Sequence, residues 1–142
     1  MSSAAQFTST SNKGTPGTIT AANTATNGTG ATGRILIFTA AATGFSLLPT
    51  VRIKPLGTGV ATIIRLFRNN GVDPEAPGNN TLIWEEAIAA STLSQTAKMP
   101  EYDVNLGLRL TGHATLPERI YATLGTAHAA GVQVMPLNGG DS

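Results

Sequence analysis

Val104-Asn105-Leu106-Gly107-Leu108-Arg109-Leu110 alternates without a break. Successive side chains on an extended chain point to opposite faces. Val104, Leu106, Leu108 and Leu110 therefore share one face, and Asn105, Gly107 and Arg109 share the other. A helix would scatter the four apolar groups around its axis, so the spacing predicts a strand with one face buried.

The neighbouring segments read the same way. Residues 34–40 are a short apolar run bounded by Gly33 and Gly44. In residues 51–54, Val51 and Ile53 oppose Arg52 and Lys54. Residues 60–68 are dense in β-branched side chains and stop at Asn69-Asn70-Gly71, a strong turn signal. Pro74, Pro77 and Gly78 make 72–80 a loop, and 81–88 supplies a strand carrying Trp84, the only tryptophan. Residues 87–97 favour a helix by composition alone, but they are short and weakly amphipathic, and read as a strand end and a connection. Strands at 119–126 and 132–137 complete the set, with a small-residue turn near 129–131. Gly57-Thr58-Gly59 reads as a hairpin turn, and Pro49, Pro55, Pro117 and Pro136 are expected at strand ends or edges.

Short strands at regular spacing with no helical interludes predict an all-β fold, an antiparallel two-sheet β-sandwich. A jelly roll is the preferred topology, with an immunoglobulin-like sandwich as the alternative. Residues 1–33 stand apart. They are almost wholly Ser, Thr, Ala, Asn and Gly, and Lys13 is their one charged side chain. This reads as an extended N-terminal arm, 1–33, ahead of a sandwich domain, 34–142. Phe7 and Ile19, its sizeable apolar groups, are expected to anchor in pockets on a neighbouring molecule.

Charged residues make up 12% of the chain, against about 25% in ordinary soluble domains. So sparse a charge protects poorly against association. Basic and acidic residues nearly balance, at a net charge of +1, and no Lys/Arg cluster favours a nucleic-acid partner. With no cysteine, disulfide scaffolds and thiolate chemistry are excluded. No apolar run approaches the length of a membrane-crossing helix, and no signal-peptide pattern opens the chain.

No motif carries catalysis, and the expectation is a protein that is not an enzyme and takes no cofactor or metal. His113 and His128 lie outside any Gly-x-Ser-x-Gly or His-x-x-x-His pattern and read as surface or turn histidines. Glu85 and Glu86 are neighbours on a strand and point apart. Glu101 and Asp103 share a face but lack a third oxygen ligand, so they read as a solvated acidic edge. Arg65 and Arg68 are interleaved with Ile64, Leu66 and Phe67. They either lie solvated over apolar surface or serve as intersubunit anchors, because Arg beside aromatic groups is enriched at interface hot spots. Trp84 reads as a core residue, with a sugar-stacking platform as the alternative.

The opening Met1-Ser-Ser-Ala-Ala-Gln-Phe-Thr-Ser-Thr, then Thr20-Ala-Ala-Asn-Thr-Ala-Thr-Asn-Gly-Thr-Gly, Val51-Arg-Ile-Lys, Arg65-Leu-Phe-Arg-Asn-Asn-Gly and the closing Asn138-Gly-Gly-Asp form a recognisable layout. In that layout the chain resembles the capsid cement (decoration) proteins of tailed bacteriophages. The resemblance spans nearly the whole chain, through layout and short phrases rather than a diagnostic motif. It implies a jelly-roll sandwich made in the host bacterial cytoplasm that sits as an oligomer on the outer capsid surface of the virion. There it bridges major capsid protein subunits. A homodimer is the first expectation for the oligomer and a trimer the second. The alternative from another class is a carbohydrate-binding or host-recognition module of a tail fibre or spike, using Trp84, Tyr102 or Tyr121.

Overall fold

A computed structural model describes residues 8–142. Its ten strands are β1 (Thr10–Ser11), β2 (Gly17–Ile19), β3 (Arg34–Thr39), β4 (Phe45–Pro55), β5 (Thr62–Asn69), β6 (Asn80–Ile88), β7 (Tyr102–Thr111), β8 (Arg119–Leu124), β9 (Val132–Leu137) and β10 (Gly140–Asp141). One turn of 3₁₀-helix, Pro77–Asn79, precedes β6.

All pairings are antiparallel and fall into two sheets. In the first, β4 is the spine. β7 flanks its whole length on one side. On the other side β10 meets its beginning and β9 its end. The chain breaks between β9 and β10 at Asn138, which takes a left-handed φ of 61°. β1 then pairs with β10, and β2 with β9. The second sheet runs β3-β8-β5-β6. Counting β1 with β2, and β9 with β10, as single interrupted strands gives orders 1-8-3-6 and 2-7-4-5. This is the strand order of a jelly roll, so the two-sheet sandwich expected from the alternation is the fold.

The core lies between the sheets. From the first sheet come Leu48, Val51, Ile53, Val104, Leu110, Val132 and Val134. The second supplies Ile64, Leu66, Ile88, Ile120, Ala122 and Leu124. Val104 and Leu110 are buried as the alternation requires, while Leu106 and Leu108 pack against the core and stay half-open at the sandwich edge. Between those two leucines the register slips. Leu48 faces Leu108, but Thr50 faces Asn105. Gly107 absorbs the extra residue at φ 56°, the left-handed conformation that suits glycine in a bulge. Pro49, expected at a strand end, lies inside β4 opposite this bulge, where the ladder is already broken.

Two further expectations are corrected. The sandwich does not begin at residue 34, because β1 and β2 belong to its first sheet. Residues 21–33 of the presumed arm are also folded onto their own chain. Asn23 N–H donates to the Leu124 carbonyl at 2.6 Å at one end of the second sheet. At the other end, Asn80 Nδ2 donates to the Asn27 carbonyl at 3.0 Å. The segment then returns to β3, where Arg34 Nη1 donates to the Gly28 carbonyl at 3.0 Å. Residues 21–33 thus cross the outer face of this sheet. On that face Phe67 pairs in register with Tyr121 and Leu82 and is fully buried, outside the main core. Loop 72–80 is locked to the same flap, for Glu75 accepts from Gly30 N–H at 3.0 Å and pairs with Arg34. Gly57-Thr58-Gly59 is not a hairpin turn, since it carries the chain from β4 in one sheet towards β5 in the other.

Candidate partner-binding surfaces

Phe7 lies outside the described residues. Ile19 does not reach a neighbour: it is 3% exposed and belongs to the sandwich's own core. Its backbone pairs with Val132, and that strand position turns its side chain into the apolar interior.

The two arginines expected as anchors are both engaged within the chain. Arg68 lies on the inner side of β5, in register with the buried Ile120. Its Nε and Nη2 donate to the two carboxylate oxygens of Glu118 at 2.8 and 2.7 Å, and Nη2 also donates to the Arg109 carbonyl at 3.1 Å. Glu118 in turn accepts from Thr111 N–H at 2.7 Å. This clasp joins the two sheets across one end of the sandwich. The Arg68 hydrogen bonds hold the Glu118 carboxyl below its ordinary range, ahead of the upward push of its partial burial. Arg65 lies on the outer face, where Nε donates to Glu85 at 3.1 Å. Its Nη1 is buried with no hydrogen-bond partner among the described residues, as is Oγ1 of its cross-strand neighbour Thr123.

The outer face of the first sheet carries a solvent-facing ladder. Arg52 holds Asp103 through two hydrogen bonds, and Lys54 holds Glu101 at 3.1 Å. Both carboxyls are pulled below their ordinary range by these partners. The expected acidic edge is therefore a row of ion pairs. Among the described residues no group of three or more His, Asp or Glu side chains is placed to hold a metal ion.

Trp84 is not in the core. It sits on the edge strand β6 and is 40% exposed. The three large rings do not form one platform. Tyr102 accepts Ala89 N–H with its hydroxyl at 3.2 Å, and Tyr121 lies under the Arg34 guanidinium at 5.2 Å. His113 is exposed, with Nδ1 accepting from Thr115 and Leu116 N–H. His128, expected at the surface or in a turn, lies in the connection between β8 and β9 but is fully buried. Its Nδ1 accepts from Gly131 N–H at 3.0 Å, and its Nε2 has no partner among the described residues. That nitrogen packs on Gly59, where a Cβ would stand 2.2 Å from it.

The surface that the sequence reading missed is the end of the sandwich around this histidine. Loops 56–61, 89–100 and 125–131 build it, and Lys98 is their one charged residue. Gly59 and Ser91 bridge the first two loops through paired backbone hydrogen bonds of 3.0 Å. Thr58 Oγ1 accepts from Leu93 N–H at 3.0 Å. A hollow of about 490 Å³ opens between residues 58–60, 90–92 and 127–129. Val60 on its wall is 58% exposed, Leu93 beside it 53%, and Leu56 is exposed nearby. The available signal was the near-absence of charge from three loops, visible only once the fold had brought them together. Neither a protein-family model nor a curated protein matches this chain.

Proposed function

We propose that this protein is a non-enzymatic cement protein of an icosahedral virus shell, bound to the outside of the capsid and bridging major capsid protein subunits. The observation that carries the reading is the nearly uncharged loop end of the sandwich, with its hollow and its exposed Leu56, Val60 and Leu93. Such a surface is built to be covered by protein, because apolar side chains grouped without charge favour association. A body bound across two shell subunits stabilises the assembled state by mass action and needs no chemistry. The resemblance to phage cement proteins supplies the identity of the shell, and the jelly-roll body agrees with it.

The test is compositional. Purified particles should contain the chain at a fixed ratio to the major shell protein, and stripping it should lower the temperature at which shells open. Its absence from particles, or a handful of copies confined to the tail, would refute the reading.

Exposed Trp84 favours a second reading, a host-recognition module that stacks a sugar on the indole. It predicts glycan binding that Trp84→Ala abolishes. The engaged Tyr102 hydroxyl and the covered Tyr121 leave that ring without aromatic company, so the cement reading comes first.

A further inference from the structure

The hollow at the nearly uncharged end lies far from the point at which the described chain begins. Ser9 N–H donates to the Asp141 carbonyl, and β1 pairs with β10 beside Ser46 and Leu47, near the start of β4. The hollow lies past the other end of β4, beyond Pro55. Eleven strand residues separate these ends, a length of roughly 33 Å. Residues 1–7, fully extended, span at most about 25 Å. A chain cannot fill its own hollow with them.

We infer that the hollow receives residues 1–7 of a second copy, with Phe7 seated between Val60, Ala90 and Ala129. The two surfaces match in chemistry. Met1-Ser-Ser-Ala-Ala-Gln-Phe7 carries no charged side chain, and neither does any residue lining the hollow. The hydroxyls of Thr58, Ser91 and Thr92 suit backbone and hydroxyl groups flanking a buried ring, and small alanines leave room for it. At about 490 Å³ the volume falls within the range of sites that take a drug-sized ligand, which leaves room for the ring together with the backbone that flanks it. The contact joins one end of one molecule to the opposite end of another, so reciprocal exchange closes a two-fold pair, and one-way contacts close into a ring or propagate along a surface. It rests on the cement reading for its setting but concerns only contacts between copies.

The chain has no cysteine, which permits a direct test in the full-length protein free of shells. Gln6→Cys, which leaves the Phe7 ring in place, is combined with Ala90→Cys or Thr92→Cys at the hollow, or with Thr115→Cys at the opposite end. Under mild oxidation the hollow pairs should give at least tenfold more interchain disulfide than the Thr115 pair. Phe7→Ser should weaken self-association in sedimentation by roughly ten- to a hundred-fold, as expected for losing one buried ring. Equal or lower yield from both hollow pairs overturns the inference. Unreduced binding of the same variants to shells reports separately on the cement reading, which survives if attachment persists without the cross-link.

Discussion

Replacing Glu118 with Ala removes the carboxylate that clasps the two sheets. Three hydrogen bonds to a charged acceptor are lost: two from Arg68, at 2.8 and 2.7 Å, and one from Thr111 N–H, at 2.7 Å. Hydrogen bonds involving charged groups contribute about 1.5–3 kcal/mol each when shielded. Arg68 and Glu118 keep 33% and 19% of their side-chain surface, so water competes and the sum must be discounted heavily. We expect a loss of about 2 kcal/mol, the guanidinium remaining half-covered without its counter-ion. For a domain of this size that lowers Tm by roughly 6–10 °C. Urea unfolding of both proteins from pH 7 to pH 2.5 is the assay. The folded carboxyl titrates below its unfolded value, so its contribution is fully present above about pH 4.3. It is lost as pH falls through the lower, folded value. The gap between wild type and Glu118→Ala should therefore be widest near neutrality and narrow in acid. A gap under about 0.5 kcal/mol at pH 7, within the range of ordinary surface changes, would refute the clasp. So would one that stays constant into acid.

Ile19→Ala should lower the stability of the free protein by about 2–4 kcal/mol, as for other core truncations. An unchanged urea midpoint would return Ile19 to the role of an external anchor. Gly59→Ala places a methyl group 2.2 Å from the buried His128 ring and should cost about 2–3 kcal/mol through overpacking, read as a lowered Tm. Gly107→Ala meets no atom within 4 Å and should cost only the left-handed backbone penalty of about 1–2 kcal/mol, with Gly107→Asn milder in the same denaturation series. Glu75→Gln should speed hydrogen exchange at Gly30 near neutral pH, since the carboxylate holds that amide and the flap with it. Unchanged protection would mean that other contacts hold the flap.

The sandwich was legible because its strands bury one face each. Val104 to Leu110 and Val132 to Leu137 announce themselves by alternation, and the observed strands extend them by at most two residues. The first two strands were not legible, because Thr10–Ser11 and Gly17–Ile19 offer one buried apolar side chain between them. They are held by backbone pairing to β9 and β10, strands more than a hundred residues later. Composition therefore reported an arm where the fold makes an edge. The flap of residues 21–33 was hidden in the same way, because it carries no hydrophobic pattern. The buried His128 was hidden because flanking alanines resemble any turn, and only the arrival of Gly59 from a distant loop encloses the ring. For the candidate surface, each loop is bland alone, and their convergence is a property of the topology.

The pairing of β1 with β10 has a mechanical consequence. Thr10 faces Asp141 and Ser11 faces Gly140, so these short strands at the two extremes of the sequence leave the sheet at the same end. A force drawing these two ends apart would load that ladder like a zipper, opening one rung at a time rather than shearing all rungs together. On the proposed contact between copies, the leading segment would act as a latch that peels reversibly. Sustained tension would have to enter through the long strands β4 and β7, whose ladder resists as a whole.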